Sequence, residues 1–241
     1  MKRIKERPAK KFFIGLIIII TTLGAAHLML QYLNLNYFNQ ESGVFFELTN
    51  RFDFDDEASV PTWISQLLFL LISASAGLLV VLEKIKPRKI LWGIVSIVAL
   101  IGSLDEVATL HENVLQSLHL LSFDESSPTI LANAWLFIVP FLLIATVVFV
   151  AKATTLLPKR TIRLIVIAAT VYLIGAVVTD IVTSSAIADS NSSTFMTEGV
   201  LVAIEELLEL IGLSIMLYAT VDYTERKFSG KLKRAKKELV K

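Results

Sequence analysis

Two groups of acidic residues interrupt a chain that is otherwise mostly apolar. Asp105, Glu106, His111 and Glu112 fall within residues 104–113, and Glu205, Glu206 and Glu209 form a Glu-Glu-x-x-Glu run. Carboxylate oxygens with one or two imidazoles suit a hard or borderline divalent cation such as Mg²⁺, Ca²⁺, Mn²⁺, Zn²⁺ or Fe²⁺. Such an ion activates water, and a carboxylate beside it can take the proton released. The sequence contains no Cys, so a metal here would be held by His and oxygen ligands alone. The spacing matches neither His-Glu-x-x-His nor the Glu-x-x-His pairs of di-iron bundles, which leaves the metal's identity open.

The elements that must position these groups follow from hydropathy. The chain is 54% hydrophobic with a mean hydropathy of +0.67, too apolar for a soluble domain of its size. Apolar runs of roughly the 20 residues needed to cross a bilayer recur along it. They predict an all-α integral membrane bundle of six transmembrane helices, at about residues 12–33, 62–82, 90–115, 130–151, 162–186 and 198–221. A basic N-terminus, residues 1–11, precedes this domain of residues 12–222, and a basic tail, residues 223–241, follows it. Gly24-Ala25-Ala26 resembles a signal-peptide processing site, but the apolar run continues to Leu33, so helix 1 is expected to be retained.

Charge sets the expected orientation. Of the 23 Lys and Arg, all but Arg51 lie at the termini or in the turns after helices 2 and 4. The positive-inside rule then puts both termini in the cytoplasm, in a cell membrane read here as a bacterial inner membrane. Expected partners are the bilayer and a lipid or cation substrate; nucleic acid is not among them.

Helical geometry converts this topology into depth. Asp105 and Glu106 come ~22–24 Å along helix 3, while Glu205 and Glu206 lie ~10–12 Å and Glu209 ~17 Å below the outer face. Asp180 on helix 5 and His27 on helix 1 reach a similar layer. At 100° per residue Asp105, Thr109 and Glu112 share one stripe, flanked by Glu106 and His111. An ionised acid in mid-membrane costs roughly 2.5–3.5 kcal/mol on permissive scales, and no Lys or Arg lies among these. A bound cation would offset them. The expected metal ligands are Asp105, His111, Glu112, Asp180, Glu205 and Glu209, with Glu106 and Glu206 as the catalytic proton carriers.

In these residues the chain resembles an uncharacterised group of bacterial multipass membrane proteins. Its marks are a Pro-Thr-Trp helix entry, an Asp-Glu…His-Glu helix and a final Glu-Glu-x-x-Glu helix. They match Pro61-Thr62-Trp63, Asp105-Glu106, His111-Glu112, Glu205-Glu206, Glu209 and Gly212 here. The group carries an acid, usually Glu, in its fifth helix, where this chain has Asp180. The resemblance implies a membrane protein with these site residues and implies no activity. Three functions fit: a metal-dependent enzyme acting on a lipid or membrane-associated substrate, a cation- or proton-coupled transporter built from an inverted three-helix repeat, or a non-catalytic metal-stabilised assembly partner.

Overall fold

Proline and serine mark where the helices begin. Ser59 caps α3 (Val60–Leu82) by accepting the Thr62 amide hydrogen, and Pro61 pre-sets the first turn. Pro87 does the same for α4 (Lys86–Ala108), which starts four residues ahead of the position that hydropathy suggests. The computed structural model describes residues 8–38, 43–109, 139–179 and 195–238, and every element among them is helical. The others are α1 (Pro8–Leu33), which runs into a π-helical turn at Asn34–Phe38, the short α2 (Val44–Arg51), α5 (Val139–Leu156), α6 (Lys159–Leu173), which runs into a π-helical turn at Ile174–Thr179, and α7 (Phe195–Glu238).

Each of the six expected segments meets a helix. Four stretches, Pro8–Phe38, Val60–Leu82, Lys86–Ala108 and Lys159–Thr179, are long and apolar enough to cross a membrane. Helix 3 was expected to reach residue 115, but α4 closes at Ala108, where Thr109 takes a left-handed conformation with φ 44°. A β-branched residue in that region breaks the helical path. Of the stripe expected to run from Asp105 to Glu112, Asp105 lies on α4, Thr109 stands just past its end, and Glu112 lies outside the described residues.

Inside the bundle the usual polarity of a soluble protein is reversed. Ile18, Ile97, Val98, Ile101, Ile144 and Val147 are exposed, whereas Ser65, Ser73, Ser103, Ser214 and Thr220 are buried. An outer surface of this kind suits hydrocarbon, and most of the hydroxyls inside bond to backbone carbonyls or to other side chains. The hydroxyls of Ser73 and Ser96 each donate to the other's carbonyl at 2.9 Å, locking α3 antiparallel to α4. Lower on the same seam the Ser103 hydroxyl donates to the Gln66 carbonyl at 3.3 Å.

The hub is α7, which packs against α1, α3 and α6. Leu210, Leu213, Leu217 and Tyr223 bury its inner face, and Thr220 shares a 2.7 Å hydrogen bond with Ser75 of α3. Phe13 of α1 stacks on Tyr218. Glycines set the tightest crossings. A Cβ on Gly212 would stand 2.8 Å from the Tyr172 backbone nitrogen, and one on Gly175 would stand 2.9 Å from the Glu205 carbonyl oxygen. This α6–α7 approach brings the acids of α7 against α6.

Candidate functional site

The acids of α7 sit one turn apart on a helix that Gly175 and Gly212 allow to press against α6. Glu205, Glu206 and Glu209 are all half-buried. Glu206 lies close enough to feel the charges of Glu209, Glu106, Glu205 and Asp55. Charges of three elements therefore interact there: those of α7, the end of α4, and the loop ahead of α3. A fourth contributes a hydroxyl, since Tyr172 of α6 is hydrogen-bonded to Glu209 and lies near Glu106 and Glu206. From α3, the Ser65 hydroxyl donates to Glu106 Oε1 at 2.9 Å. The spans around these acids carry no Lys or Arg: none occurs from residue 90 to 109, from 164 to 179 or from 195 to 225.

Of the eight expected site residues, the structure brings Glu106, Glu205, Glu206 and Glu209 into one group. Asp105, half-buried, precedes Glu106 on α4. His111, Glu112 and Asp180 lie outside the described residues. Among the described residues no three Asp, Glu or His side chains converge as a metal-ligand set. What the described part shows is a group of mutually interacting carboxylates with hydroxyls at Ser65 and Tyr172.

His27 belongs to a separate arrangement. Its ring is 1% exposed and links three parts of the chain. Nδ1 accepts the Phe54 amide hydrogen at 3.3 Å, so Nε2 carries the proton and donates to the Gly199 carbonyl at 3.3 Å. Asp53 Oδ1 stands 3.5 Å from Nδ1, and Asp53 Oδ2 accepts from the Gln31 amide at 2.8 Å. Phe54 packs edge-to-face on the imidazole. Through these contacts the acidic loop is fixed over α1 and the start of α7, which carries Asp55 toward Glu206.

Two functional partners escape sequence reasoning. Tyr172 reads as an ordinary apolar-face aromatic of helix 5; the signal that could have singled it out is its position one turn before Gly175, on the face that must meet Gly212. Asp55 reads as a surface charge of the outer loop. Only the His27–Phe54 contact reveals which way that loop folds.

At the opposite end of the bundle, two further acids are buried. Asp222 Oδ2 accepts from Arg226 Nε at 2.7 Å and from Arg160 Nε at 3.0 Å. Glu83 accepts from both Tyr223 and Lys227. These pairs tie the turns after α3 and α5 to the same stretch of α7.

A family model described as Domain of unknown function (DUF8692) matches residues 13–223. No curated protein and no solved structure matches the chain.

Proposed function

We propose, for a chain that belongs to the family described as Domain of unknown function (DUF8692), a divalent-cation centre in the outer half of a six-helix membrane bundle, acting on a lipid or other membrane-associated substrate. One observation carries this reading: Glu206 lies within reach of the charges of Glu209, Glu106, Glu205 and Asp55 in a part of the chain without Lys or Arg. Carboxylates so placed repel one another, and a divalent cation is the most economical counter-charge. Both termini lie in the cytoplasm in this reading, and the cluster opens to the outer side of the cell membrane.

In this centre Glu205 and Glu209 would hold the cation together with Asp105, His111, Glu112 and Asp180, and the bound ion would supply an activated water. Glu206, as a carboxylate, would accept a proton, and Glu106, in its protonated form and oriented by the Ser65 hydroxyl, would donate one to the leaving group. Metal analysis of the purified protein tests the assignment. Wild type is expected to retain a divalent ion that Glu209→Gln and Glu112→Gln lose. A metal-free wild type, or equal metal in all three, refutes the shared centre.

A second reading, cation or proton transport, draws support from a separate feature. Glu106 and Glu206 sit on the third helix of each half, as an inverted repeat would place them. Cation uptake into sealed proteoliposomes that Glu206→Gln abolishes would favour transport, and its absence with metal still bound would favour the enzyme.

A further inference from the structure

The basic end of the bundle holds a second feature, remote from the carboxylates. A pocket of about 370 Å³ is walled by Arg88, Arg160, Arg226 and Lys227 with Thr161 and Tyr223. No acid lines it. Two buried acids are already engaged, Asp222 by Arg160 and Arg226, and Glu83 by Lys227. Four cations line the pocket, and even with Glu225, which precedes Arg226 on α7, counted as a third acid they leave a positive excess.

The arginines are held in a particular way. Arg88 donates its Nε–H to the Leu156 carbonyl at 2.8 Å, and Arg160 and Arg226 donate theirs to Asp222. Among the described residues, the terminal nitrogens of Arg88 and Arg226 and one of Arg160 have no partner, since only Arg160 Nη2 is used, toward the Tyr218 hydroxyl at 3.0 Å. Arg160 and Arg226 remain 50% and 39% exposed, so a ligand can reach them. Arg88 and Arg226 are thus fixed through Nε with both terminal nitrogens open, the geometry that receives oxyanions in pairs, and Arg160 keeps one terminal nitrogen open. The start of α6 adds to this. Pro158 and Thr161 line the same pocket, no side chain caps that helix, and its first turn carries no acid, so the positive end of the helix is left uncompensated beside the pocket.

We propose that this pocket binds a phosphate group, presented either by an anionic phospholipid headgroup at the membrane surface or by a soluble phosphate. The expected effect of removing one guanidinium is a loss of roughly tenfold or more in affinity, the usual weight of a charge-assisted hydrogen bond.

The test has two arms on the full chain. In neutral detergent the protein is titrated calorimetrically with inorganic phosphate. In mixed micelles, native mass spectrometry compares retained phosphatidylglycerol with phosphatidylcholine. Saturable binding is expected in at least one arm, weakened by R88Q and by R226Q and unchanged by K152Q, which removes an exposed charge from α5. Phosphatidylglycerol retained without phosphate binding identifies the headgroup as the source, and the reverse identifies a soluble phosphate. Failure of both probes, or an equal loss with K152Q, overturns the proposal. Should R226Q fold poorly because Asp222 loses a partner, R88Q decides the matter, since the hydrogen bond of Arg88 among the described residues goes to a backbone carbonyl and no buried acid depends on it for a hydrogen bond.

Discussion

Ser65 donates its hydroxyl hydrogen to Glu106 Oε1 at 2.9 Å, joining the first third of α3 to the last turn of α4. The bond fixes which way an acid points in a region with no nearby cation in the sequence. Ser65→Ala is expected to cost roughly 1–3 kcal/mol, the weight of a buried bond to a charged or acidic group, seen as a lower melting temperature. An unchanged melt would show that the bond is replaced.

The glycines of the α6–α7 crossing make a contrasting pair of predictions with Gly15. Gly175→Ala and Gly212→Ala place a Cβ against backbone atoms at 2.8–2.9 Å, and backbone cannot step aside as a side-chain tip can. Each is expected to destabilise by about 1–3 kcal/mol and to part Glu209 from Tyr172. Gly15 has nothing within 4 Å of the same position, so Gly15→Ala is expected to be neutral or to stabilise by up to ~1 kcal/mol through helix propensity. Thermal melts of the three variants check the order.

Acid sensitivity is expected at the basic end. Burial alone pushes the Glu83 carboxyl up, but the hydrogen bonds from Lys227 and Tyr223 and the charge of Arg88 outweigh it, so the group titrates below its ordinary value of 4.5. A carboxylate depressed in the folded state contributes stability that is full above about pH 4.5 and lost as pH falls through its folded value. The same environment, burial first and then Glu83, raises the Tyr223 phenol, which stays protonated and keeps donating. Melts of wild type and Glu83→Gln should differ most above pH 4.5 and converge below it. A constant gap across that window would assign the effect to packing.

The His27 latch predicts a local opening. His27→Ala removes the partner of the Phe54 amide and of the Gly199 carbonyl, and leaving such buried groups unpaired costs about 1–3 kcal/mol. Because the latch holds the loop that carries Asp55, the variant should also expose residues 52–58 to protease ahead of global unfolding. Protection equal to wild type would mean the loop is held elsewhere.

Much of this arrangement is legible in the sequence because lipid imposes simple rules. Apolar runs locate the helices, Pro61 and Pro87 mark two of the starts, and the helices that carry Glu106 and Glu205, Glu206 and Glu209 are read from those runs. The end of α4 is not legible, since residues 104–113 remain compatible with helix until Thr109 turns left-handed. Nor are the buried acids Glu83 and Asp222, which flank basic turns and read as solvated interface charges. Their burial depends on which turns meet α7, and tertiary packing decides that. The reach of Asp55 depends on a loop path that no periodicity records.

The reciprocal serine bonds of α3 and α4 bear on the order in which the membrane receives the chain. Ser73 and Ser96 hide each other's hydroxyl and carbonyl, so this hairpin can leave the translocation machinery as a pair before any later helix exists. The acids of α7 interact with Tyr172 of α6, Glu106 of α4 and Asp55 of the loop ahead of α3, and so depend on those elements already being in place. Assembly then runs from a self-sufficient hairpin to a late, dependent final helix. Cysteines introduced by Ser73→Cys and Ser96→Cys should crosslink in a nascent chain that stops short of α6, and a failure to do so until α7 is made would reverse that order.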